Sequence, residues 1–154
     1  MTVTEIPRAL HVGEEDAPFV DLGNGVELQV LKVDVEAGLW VIRNRFQPGL
    51  VVERHKHTGC VHAFTLSGSW KYLEYPEVNR AGSYLFEPAG SIHTLIVPED
   101  NTEVTDVWFA IQGANLNLDE NDEIQMVIDA ALIRDVYLGA CEAAGLPRPP
   151  VIGA

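Results

Sequence analysis

The chain is punctuated by glycine and proline, at Gly23-Asn24-Gly25, Pro48-Gly49, Gly68, Ala81-Gly82, Pro88-Ala89-Gly90 and Pro98. Between these points lie short runs of β-branched and aromatic residues: Glu27–Val35, Leu39–Phe46, His62–Leu66, Trp70–Tyr75, Tyr84–Phe86, Thr94–Val97 and Val104–Ile111. Many short strands with regular turn signals predict an all-β sandwich or barrel. Alternation is clear in Trp70-Lys71-Tyr72-Leu73-Glu74-Tyr75, which puts Trp70, Tyr72 and Glu74 on one face of a strand. The tail reads differently. Asp129 to Ala144 has helical composition, with Gly139 its only interruption, Asp129 placed to cap its start and Gly145 and Pro147 to end it. Leu132, Val136 and Tyr137 recur at helical spacing, so one C-terminal helix is expected on the barrel exterior, followed by an irregular proline-rich end.

A length of 154 residues fits one domain, 1–154, with little room for a second core. With 47% apolar residues such a chain can bury a core without a disulfide or metal staple, so any metal it holds is functional. A net charge of −13 sets it against nucleic acid and anionic membranes; the acid excess either favours small neutral or cationic partners or simply keeps the protein soluble. Cys60 and Cys141 do not resemble a secreted disulfide framework, and the start Met1-Thr-Val-Thr-Glu-Ile-Pro7 has no basic-then-apolar leader. No apolar run nears the roughly 18 residues that span a bilayer. A cytoplasmic protein is expected.

Four of the five histidines fall between residues 55 and 93. In His55-Lys56-His57 the two imidazoles sit at i and i+2, so on a strand they project to one side and offer half of a transition-metal site. An isolated pair of this kind is weak evidence. The surroundings strengthen it, because Gly82-Ser-Tyr-Leu-Phe-Glu-Pro88-Ala-Gly90-Ser-Ile-His93 carries a Pro-x-Gly turn that delivers a third imidazole onto a new strand.

The spacing Gly49-x5-His55-x-His57, Gly68, then Gly82-x5-Pro88-x-Gly90-x2-His93 resembles the paired cupin motifs, here over residues 49–68 and 82–97. The resemblance implies a jelly-roll (cupin) β-barrel with a C-terminal helix at about 129–144, and a divalent metal held by His55, His57 and His93. Cupins usually add a glutamate three or four residues after the second histidine. Val61 and His62 stand there instead. Three histidines without that glutamate are similar to the branch of small dioxygenases that cleave 2,4'-dihydroxyacetophenone or β-diketones such as acetylacetone. His57-Thr-Gly-Cys-Val-His62, Trp70-Lys-Tyr-Leu-Glu74, Phe86-Glu-Pro-Ala-Gly90 and the acidic stretch after Gly113 look closer to the first.

That resemblance implies a non-haem iron(II) dioxygenase acting with O2 on an α-hydroxyketone or β-diketone and breaking the carbon–carbon bond beside the carbonyl. A 2,4'-dihydroxyacetophenone-like substrate would give 4-hydroxybenzoate and formate. Glu74 and Glu87 are the candidate proton acceptors; Glu74 could otherwise be a fourth ligand or a surface acid, and Glu87 could orient a histidine. His62 is either a fourth ligand or a neighbour of the site, and in cupin register it points away while Val61 faces the metal. Trp40, Trp70, Trp108, Phe46, Phe64 and Phe109 are expected mostly in the core, one or two of them walling a substrate pocket. His11 is expected at the surface, and Cys60 as a solvent-facing spectator.

Two alternatives remain open at this level. One is a zinc-holding regulatory cupin, like those of some anti-sigma factors, which usually keep the glutamate and carry a separate sigma-binding segment. The other is a zinc or nickel cupin acting as an isomerase or hydrolase. A homodimer paired through exposed strands is expected.

Overall fold

The computed structural model describes residues 6–154; Met1–Glu5, which carry most of the reading of the chain start, lie outside the described residues. The strands are β1 (Val20–Asp21), β2 (Val26–Asp34), β3 (Leu39–Phe46), β4 (His55–His57), β5 (Val61–Ser67), β6 (Ser69–Tyr72) and β7 (Val78–Arg80). They continue as β8 (Tyr84–Glu87), β9 (Ile92–His93), β10 (Leu95–Ile96), β11 (Thr105–Gln112), β12 (Asn115–Leu118) and β13 (Ile124–Ile128), before helix α1 (Ala130–Ala143). They assemble into a six-stranded sheet in the order β1-β2-β3-β11-β5-β8, a four-stranded sheet β13-β12-β4-β9 and a three-stranded sheet β10-β6-β7.

Period-two patterning explains which face of each strand is buried. On β3, Trp40, Ile42, Asn44 and Phe46 point inward and Leu39, Val41, Arg43 and Arg45 outward. On β5, Val61, Ala63 and Thr65 are the inward set. The smaller sheets close the barrel. Trp70 on β6 packs 6.1 Å from Phe109 on β11, and its indole donates to Thr65 Oγ1 at 2.9 Å. Trp40, Trp70, Phe46 and Phe109 are buried as expected and Trp108 is half-buried. Phe64 is not a core residue: it points out of β5 and is 53% exposed.

The helix begins as its sequence implies. The Asp129 carboxylate accepts from the Leu132 N–H at 2.9 Å, and Gly145, at a φ of +71°, ends the helix. There the Leu146 N–H reaches the Cys141 carbonyl and the Gly145 N–H the Glu142 carbonyl, both at 2.9 Å. Its buried face differs from the expected one. Ala130, Ile133, Tyr137 and Cys141 are covered, whereas Val136 is exposed, because the helix is rolled so that the Tyr137 hydroxyl donates to the Pro18 carbonyl at 2.6 Å.

Two further departures matter for the site. The strand read as Trp70–Tyr75 ends at Tyr72, so Leu73 and Glu74 form a surface turn and Glu74 no longer shares the inward face. The acidic stretch after Gly113 is a hairpin, β12–β13, whose β12 pairs with β4. Among the described residues no helix is long and apolar enough to cross a membrane.

Gly68 adopts a φ of +70°, and a Cβ there would fall 2.6 Å from Thr105 Cα. Alanine would combine left-handed strain with a backbone clash, so Gly68→Ala is expected to lower unfolding stability by about 2 kcal/mol or more, read by urea titration.

Candidate metal centre

The three imidazoles converge through strand register. His55 and His57 alternate on β4, and His93 on β9 lies directly opposite His55 in an antiparallel pair, so all three share one face. The turn at Pro88–Ser91 sets that register. The Gly90 N–H donates to the His57 carbonyl at 2.7 Å and the His57 N–H to the Ser91 carbonyl at 3.0 Å. Gly90 itself needs a φ of +86° there. The ligating nitrogens fall within 4.8 Å of one another, and all three residues are buried.

The His55 tautomer suits a cation. His55 Nδ1–H donates to the Glu53 carbonyl at 2.7 Å, leaving Nε2 with its lone pair towards the centre. Burial, above all, pushes the His55 pKa down to about 4, and the neighbouring imidazoles act in the same direction, so it is neutral at pH 7. Tyr72 stacks on His93 with ring centroids 3.8 Å apart, which holds that ring in place.

A carboxylate joins them. Glu87 is 3% exposed, with Oε2 at 2.9 Å from His57 Nε2 and Oε1 at 3.4 Å from His93 Nε2. These approaches lack hydrogen-bond geometry, and both ring nitrogens of His57 and His93 and both Glu87 oxygens are buried without a hydrogen-bond partner. Burial favours the neutral acid, but the two imidazoles outweigh it and hold the carboxyl below its usual range. So many unsatisfied groups facing one point would cost about 1–3 kcal/mol each if left alone. A divalent cation between the three imidazoles would satisfy their ring nitrogens and offset the charge of the carboxylate beside them, and such nitrogen donors fit a borderline transition metal.

Glu87 stands where the sequence hides it. Val61, fully buried at the usual glutamate position, pairs directly with Glu87 across β5 and β8, so the carboxylate reaches the same space from the opposite strand. No carboxylate stands at the usual position, as expected, and of the two candidate acids it is Glu87 that lies beside the imidazoles. Glu74, in contrast, is not brought to the cluster. It is exposed, and its Oε2 accepts from the Thr94 N–H at 2.9 Å. His62 points outward, with Nδ1 2.6 Å from the Tyr84 hydroxyl. His11 is exposed and Cys60 half-buried.

The cluster forms one wall of a cavity of about 200 Å³, lined mainly by apolar side chains such as Trp40, Ile42, Phe46, Phe109 and Ile111. Asn115 on β12 also lines it. Nothing in the expected strands covered that residue, although the alternation Asn115-Leu-Asn117-Leu carries the period-two signal.

A barrel with these imidazoles on its inner face is a cupin barrel with a candidate metal centre, and its structural likeness extends over the whole chain. Residues 8–112 match the ChrR cupin-like domain family, and the chain belongs to it. A cupin-like protein of unknown function from Ralstonia eutropha JMP134 is 35% identical over 99% of this chain and 96% of its own, with a TM-score of 0.91. An acetylacetone dioxygenase from Acinetobacter johnsonii shares the fold at 17% identity, covering 91% of this chain and 97% of its own, with a TM-score of 0.73. The complex of SigE with the anti-sigma ChrR from Rhodobacter sphaeroides matches at 19% identity over 64% of this chain and 50% of that one, with a TM-score of 0.53. No curated protein matches.

His55 yields a pH test on the metal-free protein. Unfolded, its imidazole takes up a proton near 6.5; folded, only near 4. Between those values the unfolded chain binds more protons, so stability is full above 6.5 and falls as the pH drops towards 4. The expected loss is on the order of 3 kcal/mol, and the lowered Glu87 carboxyl adds to it with the same sign. Urea midpoints that stay flat from pH 7 to 4 would contradict this.

Proposed function

We propose that the protein is a non-haem iron(II) dioxygenase that cleaves the carbon–carbon bond beside the carbonyl of an α-hydroxyketone or β-diketone. The observation that carries this reading is the buried set of three imidazoles and one carboxylate opening onto an apolar cavity. His55, His57 and His93 would hold the ion, and Glu87 stands beside it free to accept a proton. Bound there, iron(II) supplies a Lewis acid for a two-oxygen chelate and an electron source for dioxygen.

The chain's own groups account for the rest. The apolar walls exclude water and favour a largely uncharged ketone and O2. Glu87, kept ionised by its imidazole neighbours, takes the proton that the ketone loses on becoming an enolate. Glu74 acts at a distance by fixing the backbone beside His93. For a 2,4'-dihydroxyacetophenone-like substrate, both atoms of O2 end in the products, 4-hydroxybenzoate and formate.

Zinc or nickel would fit the same donors. Membership of the ChrR cupin-like family favours a second reading, a regulatory cupin that holds its metal without turnover. A cytoplasmic setting is supported by two unpaired thiols, Cys60 and Cys141. A homodimer is supported by the exposed row Phe64, Tyr84 and Phe86 along β5 and the sheet-edge strand β8.

Anaerobic loading with iron(II), followed by oxygen electrode traces with 2-hydroxyacetophenones and acetylacetone, separates these readings. Stoichiometric O2 consumption with acid formation is expected; a fully loaded protein that consumes none is the regulatory or non-oxidative outcome. His93→Ala is expected to lose the metal yet keep cooperative unfolding. Glu87→Gln is expected to slow turnover about 100-fold, with metal content measured alongside.

A further inference from the structure

The cavity beside the metal cluster is apolar except for a few groups, of which the Trp40 indole donates to the Gly113 carbonyl at 2.9 Å and Tyr72 stacks on His93. His55, His57 and Glu87 face the metal position. The Asn44 amide donates to the Glu27 carbonyl at 3.1 Å and is tied to the wall. Asn115 is different: its Oδ1 is buried and has no hydrogen-bond partner.

Its placement is fixed by the β12 ladder. Asn115 lies opposite His57 on β4 and opposite Ile128 on β13, so the three side chains form a row on the cavity face. Directly opposed residues keep their Cβ atoms about 5 Å apart, which puts the amide one rung from a metal-ligating imidazole. Asn117, two residues on and opposite His55, is already used: it donates to Glu53 Oε2 at 3.1 Å. An amide oxygen kept dry and unpaired in an apolar pocket is costly unless a ligand satisfies it.

We propose that Asn115 Oδ1 accepts a hydrogen bond from a hydroxyl of the bound substrate, and that this selects α-hydroxyketones over β-diketones. The inference rests on the ketone reading above. An α-hydroxyketone that gives up its α-proton still carries one O–H, which can be donated to the amide. A β-diketone that gives up its central proton carries none, and its oxygen lone pairs would face the amide oxygen. A site built to pair with a hydroxyl discriminates against the analogue that lacks it more strongly than an apolar pocket can.

The test uses zinc-loaded protein, where no oxidation intervenes, with calorimetric titration of 2-hydroxyacetophenone, 2-methoxyacetophenone and acetylacetone. Wild type is expected to bind the hydroxyketone about tenfold more tightly than its methyl ether. Asn115→Leu should bring the two within twofold at unchanged zinc content, whereas Asn115→Asp, which keeps an acceptor, should retain the preference. A preference that survives in Asn115→Leu, or is missing from wild type while the ketones still bind, overturns the inference and leaves the ketone reading standing. Binding of none of the three to zinc-loaded wild type overturns both. The expected preference in a protein that consumes no O2 with iron would support the Asn115 assignment while removing the dioxygenase.

Discussion

The candidate metal centre depends on one register. His55 faces His93 across β4 and β9, and six residues further along one strand and six back along the other, Val61 faces Glu87 across β5 and β8. The strands pass from the four-stranded to the six-stranded sheet between these points without losing step. The Pro88–Ser91 turn, bonded on both sides of His57, carries the register through the corner. A slip of one residue would turn His93 to the other face and with it Glu87, dismantling the cluster at once.

This register brings four hydrogen-bonding side chains into a dry space with few partners. Such an arrangement costs folding energy, which a barrel with a continuous core from β2, β3, β6 and β11 can carry. Rigid strands, not loops, hold the donors, so little rearrangement is needed to receive a cation. The outer face adds its own support. Arg43 grips Asp106 with two contacts of 2.7 Å, and Glu14 bridges Arg43 and Arg45, fastening the N-terminal segment across β3.

Much of this was legible in the residues, and the gaps have physical reasons. The alternating His55 and His57, the Pro-x-Gly turn before His93 and the Asp129 cap each act locally, so short patterns reveal them. Glu87 was legible as a candidate proton acceptor or histidine partner, but its choice over Glu74 was not, because that depends on which residue each faces across the sheet and pairing is not written in local spacing. The β12–β13 hairpin was missed because β13 is mostly solvent-exposed and its turn is acidic, which masks strand periodicity. The reach of the Trp70 strand was overestimated because alternation continued past Tyr72 into a surface turn.

The helix and the hairpin before it do more than cover the barrel. Ile133 of α1 and Ile128 and Asn115 of the hairpin all line the cavity, yet none belongs to the segments that carry the imidazoles. Part of the chamber's wall is therefore encoded apart from the segments that carry the imidazoles. Substitutions in the hairpin and helix would reshape that part of the wall while leaving the three imidazoles in place.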